Sequence, residues 1–262
     1  MTGTFLDKIL QTTLQKVAVR RERMDIAVLR ERAISTRVKC DSFRLSRALS
    51  APNRTNIIAE IKRASPSKGT INDAIDVAET ARIYEAGGAC AISVLTEEEF
   101  FKGSLDDLRR ARSAVNLPIL RKDFIVDEFQ ILEAADAGAD AILLIAAALQ
   151  FENLKDFQTL ARDLGLDALV EVHTQAELKA ATEVGAKLIG VNNRDLRSFK
   201  VSLDVSRDLI RSRPPEALMV AESGLSTKNE IVELKSLGFD GFLIGETLMR
   251  SGNAAQTLEA LA

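Results

Sequence analysis

The stretch "DAGADAILLI", residues 136–145, holds the reading that decides the fold. A helical pattern ends on Gly138, and three residues later an unbroken apolar run begins. Glycine at a helix end adopts the left-handed conformation at little cost. An apolar run without polar alternation suits a strand buried on both faces, as in a parallel sheet. The same arrangement returns in "EAGGACAISV" (85–94), "EVGAKLIGV" (183–191) and "SLGFDGFLIG" (236–245). Gly88, Gly138, Gly185 and Gly238 therefore mark a unit of about 50 residues, long enough for two strands and two helices.

Each unit contains a second apolar run. These are "NIIAEIKR" (56–63), "PILRKDF" (118–124), "DALVEVH" (167–173) and "ALMVAESG" (217–224). Segments with helical spacing separate the runs, among them "EFQILEAADAG" (128–138) and "TKNEIVELKSLG" (227–238). Eight strands alternating with helices predict an α/β fold of the (β/α)8 TIM-barrel class. A doubly wound open sheet is the rival, but no GxGxxG follows the first run. Residues 1–262 read as one barrel domain, and residues 1–50 as an N-terminal helical extension packed on it, with its mouth one place to lie. In that extension Phe5, Ile9, Leu10, Leu14 and Val17 stand at helical spacing.

Composition narrows the function. The 262 residues are 46% hydrophobic and carry a net charge of −3, against a dedicated nucleic-acid binder. No apolar run reaches the roughly 18–20 residues of a membrane span. Neither a signal peptide nor a transit peptide is expected at the N-terminus. Two cysteines, Cys40 and Cys90, make no disulfide framework and suggest a cytoplasmic protein, with Cys90 a core residue. The first 50 residues hold 11 Lys/Arg against 5 Asp/Glu, read as a solvated helical face in preference to a membrane or RNA contact. His173 is the only histidine, so no His-rich metal site is expected.

In a barrel of this class the active site lies at the C-terminal ends of the strands. Those ends carry Glu60 and Lys62 on the first strand and Lys122 and Asp123 on the third. Glu171 follows on the fifth, Asn192 and Arg194 on the sixth, and Glu222 on the seventh. Glu60 and Lys62 lie two apart and share a face, where two charges are tolerable only if they pair or serve a site. A lysine beside carboxylates in a partly dry cavity can exchange protons with a substrate. His173 shares the face of Glu171, where it could orient that carboxylate or simply pack. The glycines of "ESG" (222–224) and "GET" (245–247), before helices starting near Thr227 and Glu246, suit a phosphate site with free N–H groups. Ser65 and Lys68 could complete it from the first loop. Phe100, Phe101 and Phe124 follow the second and third strands, as core residues or as the wall of an aryl pocket.

Six stretches in order, "AEIKRASPSKG", "LTEEEFFKGSLDDL", "PILRKDFIVDEFQI", "LVEVHT", "IGVNNRDL" and "VAESGL", resemble the indole-3-glycerol phosphate synthase family over nearly the whole chain. Other phosphate-binding barrels of the same pathway do not combine "EIKRASPSKG" with "RKDF". The resemblance implies a carboxy-lyase of tryptophan biosynthesis, acting on a phosphorylated aryl-sugar without metal or organic cofactor. It implies Lys122 as general acid and Glu171 as proton-transfer carboxylate. Glu60 and Lys62 become a coupled pair at the reacting centre, with Asn192, Arg194 and Glu222 orienting the substrate. Pro66, Phe101, Phe124 and Leu143 correspond to the anthranilate pocket, and Ser65, Gly224 and Gly245 to the phosphate site. Where many members carry serine, this chain has Glu246, expected to turn away from phosphate and offer only its backbone N–H. A monomer is expected, with room for association with other tryptophan-pathway enzymes.

Overall fold

A computed structural model describes residues 4–66, 69–195 and 198–262. Eight parallel strands close into a barrel: β1 Ile57–Ile61, β2 Ala91–Leu95, β3 Ile119–Lys122, β4 Ala141–Ile145, β5 Asp167–Val172, β6 Leu188–Asn192, β7 Leu218–Glu222 and β8 Gly241–Ile244. Each pairs in parallel with the next, and β8 returns to β1 through Ile57–Phe242, Ile58–Leu243 and Ala59–Ile244. Between β1 and β2 lies α4 (Val77–Ala86), and the following connections carry α5 (Leu105–Ala114), α6 (Glu128–Asp136), α7 (Phe151–Asp163), α8 (Gln175–Glu183), α9 (Asp204–Leu209) and α10 (Lys228–Leu237). After β8 come α11 (Glu246–Arg250) and α12 (Ala254–Leu261). The four marker glycines all have positive φ, from 79° at Gly185 to 113° at Gly238, as their places at helix ends require.

Period two sorts the strand residues between two cores. Ile57, Ala59, Ile92, Ile119, Val170 and Ile189 face the helices, whereas Ile58, Ala91, Leu120, Leu143, Leu169 and Val220 fill the barrel. Cys90 belongs to the interior set, and burial pushes its thiol up to about 12. Both cysteines are free thiols.

The extension forms α1 (Phe5–Arg23), α2 (Ile26–Arg37) and α3 (Arg44–Leu49). It reaches both ends of the barrel. At the bottom Leu45 and Leu49 of α3 are fully buried and complete the interior core. At the mouth Phe5 meets Phe100 and Phe199 edge-on, with ring centroids 5.2 and 5.4 Å apart. The helical spacing of α1 holds for Ile9 and Val17, which are buried, but Leu14 is 51% exposed and Thr13 takes the inner face instead.

The basic charges of α1 and α2 are not left to solvent alone, a correction to the solvated-face expectation. Arg20, Arg21, Arg30 and Arg32 pair with Glu133, Asp127, Glu128 and Asp136 on and just before α6. The extension is thus a cationic face docked on an anionic helix. None of the helices, among the described residues, is long and apolar enough to cross a membrane.

Candidate active site

Above the interior core the barrel opens into a cavity of about 660 Å³ at the C-terminal ends of the strands. This is the size range of small-molecule sites. All fifteen residues singled out as catalytic or substrate-binding line it. Lys68 lies outside the described residues.

The polar residues arrive by strand parity. Ile58, Glu60 and Lys62 point inward in succession, as do Leu120 and Lys122, Leu169 and Glu171, Leu188 and Asn192, and Val220 and Glu222. Lys62 Nζ donates to Glu60 Oε1 at 2.6 Å, so the two charges of β1 pair with each other. At the centre Lys122 Nζ lies 3.1 Å from Glu171 Oε2 and 3.2 Å from Glu222 Oε2. All three side chains are nearly enclosed.

Burial works against every charge here, and the pairing decides which survive. Desolvation lowers the Lys122 pKa, but Glu171, Glu222 and Glu60 outweigh it and hold the ammonium well above its ordinary value. Glu171 is pushed up by burial, yet Lys122, His173 and a hydrogen bond with Asn192 bring it below the ordinary carboxyl value. Glu222, with burial unopposed by a second cation, is pushed up to about 7. The two carboxylates on one lysine are therefore unequal: Glu171 is held toward its charged form, and Glu222 holds a proton more readily.

Two glycines leave room for carboxylates. An added Cβ at Gly190, inward on β6, would fall 2.0 Å from Glu222 Oε1. One at Gly245 would fall 2.3 Å from Glu60 Oε1. Gly245 thus serves the β1 pair as well as the turn after β8.

The cavity has an apolar half. Phe101 and Phe124 stand with centroids 6.0 Å apart, and Leu95, Leu143 and Ile145 continue their wall from β2 and β4. Glu97, 5% exposed, shapes the loop that presents Phe101 by accepting N–H bonds from Glu99, Phe100 and Phe101 at 2.9, 2.6 and 3.1 Å. The sequence reading passed over Glu97, whose only signal is a carboxylate two residues past a buried strand. Ser65 and Pro66 line the cavity from the first loop.

Opposite that wall are the turns after β7 and β8. Ser223 and Gly224 adopt consecutive positive φ angles of 64° and 79°. The expectation of free N–H groups at Thr227 needs correction, because Ser226 and Thr227 N–H both donate to Glu230 Oε2, 2.8 Å each, in a capping box. At α11, by contrast, Gly245 is the N-cap and, among the described residues, no side chain caps the helix. Glu246 does not leave the site: it lies 3.5 Å from both Arg194 Nη2 and Arg250 Nη2 and lines the cavity. Arg250 was not foreseen.

Asp123 lines the cavity as well, but its carboxylate does not join the group around Lys122. Its parity is opposite to that of Lys122, and its carboxylate accepts from Thr96 Oγ1 at 2.6 Å and Arg121 Nη2 at 2.9 Å. Arg121, 1% exposed, also donates to the Gln130 carbonyl at 2.6 Å and fastens β3 to α6.

A closed parallel barrel with a buried lysine between carboxylates at its mouth, flanked by an apolar wall and by glycine turns, defines an enzyme of the (β/α)8-barrel class. Solved structures agree on the fold. 3-Hexulose-6-phosphate synthase from Salmonella typhimurium superposes with a TM-score of 0.63 at 14% identity, covering 79% of this chain and 96% of that one. Thiamine phosphate pyrophosphorylase from Pyrococcus furiosus gives 0.59 at 18%, covering 79% and 93%. The family profile described as indole-3-glycerol phosphate synthase matches residues 6–261. An indole-3-glycerol phosphate synthase from Desulfosudis oleivorans is 46% identical over 256 residues, 98% of this chain and 97% of that protein. One from Carboxydothermus hydrogenoformans is 42% identical, covering 98% and 99%. The chain belongs to the indole-3-glycerol phosphate synthase family.

Proposed function

We propose that this chain closes, decarboxylates and dehydrates 1-(2-carboxyphenylamino)-1-deoxyribulose 5-phosphate to indole-3-glycerol phosphate, carbon dioxide and water. The observation that carries the reading is the position of Lys122, paired with Glu171 and Glu222, between the Phe101–Phe124 wall and the turns at Gly224 and Gly245. The substrate has the same order of parts: an aryl ring, a reacting carbonyl and a phosphate.

The apolar wall, with Pro66 and Leu143, takes the anthranilate ring, while Ser65 and the backbone at Gly224 and Gly245 take the phosphate. Attack of the carboxylate-bearing ring carbon on the ribulose carbonyl forms the new C–C bond and puts negative charge on the carbonyl oxygen. Lys122 donates its proton to that oxygen, giving a hydroxyl group. An alkoxide is more basic than any amine, so the raised pKa of Lys122 does not prevent the transfer. Loss of carbon dioxide leaves its bonding electrons in the ring system. The hydroxyl departs as water on taking a proton from the Lys62 ammonium of the Glu60–Lys62 pair, and Glu171 accepts the proton whose loss restores the indole. Glu60 and Lys62 form a second acid–base pair beside this centre, Asn192 and Glu222 orient the intermediates, and Arg194 binds an anionic group of the substrate.

Following indole fluorescence on mixing the protein with this substrate tests the proposal. A rising signal with the wild type and none with Lys122→Ala is the expected result. Tight binding without turnover by the wild type would leave a binding barrel and overturn the assignment. The same reading makes the protein a cytoplasmic monomer, able to meet other enzymes of the pathway; the free thiols of Cys40 and Cys90 support the reducing compartment.

A further inference from the structure

The cavity accounts for every charged strand end named above except one neighbour. His173 follows β5 with the inward parity of Glu171, yet it is not among the described residues that line the cavity. Its Nε2 lies 3.6 Å from Glu171 Oε1, and its Nδ1 lies 3.4 Å from Glu177 Oε2 on α8. Both ring nitrogens are buried, and each faces its carboxylate across an ion-pair rather than a hydrogen-bond distance. Glu177 is itself held, because its Oε2 accepts the His173 backbone N–H at 2.7 Å and its own N–H donates to Thr174 Oγ1 at 3.2 Å.

A neutral imidazole has one N–H and one lone pair. Either tautomer would turn that lone pair toward a carboxylate in a buried setting, a repulsive contact. Only the imidazolium, with an N–H on each side, turns a positive edge toward both carboxylates. Burial favours the neutral ring, but Glu177 and Glu171, with Glu222 behind, outweigh it and raise the pKa above the ordinary histidine value. The titratable and charged groups around the ring are thus Glu171 from β5, Glu177 from α8 and, further off, Glu222 from β7, with Lys122 from β3 on the far side of Glu171.

The two oxygens of Glu171 are divided between cations: Oε1 toward His173 and Oε2 toward Lys122. We propose that His173, as an imidazolium anchored by Glu177, is a positioning residue that keeps Glu171 ionised and aims its Oε2 at Lys122. The inference rests on the reading of Glu171 as the proton-transfer carboxylate. It adds a line of support, Glu177–His173–Glu171–Lys122, running from the start of α8 to the reacting centre.

Because His173 is the only histidine, its ring C–H resonance in a proton NMR titration needs no assignment. It should titrate above the ordinary value of about 6.5, and Glu177→Gln should bring it down by roughly one unit. In turnover, kcat of the wild type should fall as the imidazolium discharges on the alkaline side. Glu177→Gln should move that fall to lower pH by the same interval, and His173→Gln should lower kcat about tenfold and abolish the limb, with KM unchanged in both. A ring that titrates at or below the ordinary value in the folded protein would overturn the proposal, even if His173→Gln failed to fold. So would wild-type kcat and pH profile in a folded His173→Gln while Glu171→Gln is inactive; the role of Glu171 would then stand and His173 would be packing alone. Full activity in Glu171→Gln would instead remove the reading of Glu171, and this inference with it.

Discussion

The methyl group that Gly190 lacks would stand 2.0 Å from Oε1 of Glu222. It would also lie 3.2 Å from the carboxyl carbon. The glycine on β6 is thus a slot that lets the β7 carboxylate lie against the barrel wall and reach Lys122 at 3.2 Å. What a new side chain would strike is the far end of a flexible glutamate. Gly190→Ala should therefore change stability little but displace the carboxylate. Its kcat should fall by about two orders of magnitude, within the range for a misplaced orienting group. In a double-mutant cycle, adding Gly190→Ala to Glu222→Ala should cost nothing further. Full activity in Gly190→Ala would show that the slot has no functional role.

Glu222 makes a stability prediction with a definite sign. Burial raises its pKa to about 7, so the native state keeps this proton at pH values where the unfolded chain releases it. A carboxyl of this kind contributes stability that is fully present below the ordinary carboxyl range and is lost as pH rises toward 7. Glu222→Gln removes that loss. The variant should be more stable than the wild type at about pH 8, by on the order of 3 kcal/mol, and the gap should close near about pH 4. Thermal unfolding at the two pH values would check this, and a variant less stable than the wild type at high pH would refute it.

The cavity-facing strand ends were legible because period two needs no tertiary information. Glu60 and Lys62, and the inward turn of Glu171, follow from counting along one strand. The same count separates Asp123 from Lys122, and grouping them at one strand end overlooked it. The capping box that occupies Thr227 was also readable, as Thr227 followed three residues later by Glu230. Other features needed the neighbouring strand. Gly190 pairs with Glu171 on one side and Val220 on the other, and only that register places it against Glu222. Nor does helical spacing in the extension tell which residues reach which end of the barrel. Phe5 goes to the mouth and Leu49 to the bottom, where it lies 2.5 Å from the position of a Cβ at Gly241.

Glu246 sits beside the proposed phosphate turn and 3.5 Å from Arg194. A carboxylate there repels an incoming phosphate and competes for the guanidinium. Glu246→Ser should lower KM roughly threefold with little change in kcat, the scale of a partly exposed ion pair of under about 1 kcal/mol. A rise in KM would mean that the pairing with Arg194 and Arg250 preorganises the site.

Arg37 offers the opposite separation, stability without catalysis. It is 7% exposed at the bottom of the barrel. Its guanidinium donates to the carbonyls of Leu164, Ala139 and Gly165 at 3.1, 3.0 and 3.0 Å, joining α2 to the chain entering β4 and β5. Asp140, 3.6 Å away, also carries Arg44 and Arg112, so Arg37→Met leaves no isolated anion. The loss is that of charge-assisted bonds to buried carbonyls, which leaves those acceptors unsatisfied. Arg37→Met should cost about 3 kcal/mol and lower Tm by roughly 8 °C. Below the transition its kcat and KM should match the wild type, because the site is built from the other ends of the same strands. Wild-type Tm would mean that water replaces the guanidinium at the carbonyls. A drop in kcat at unchanged Tm would mean that the bottom of the barrel communicates with its mouth.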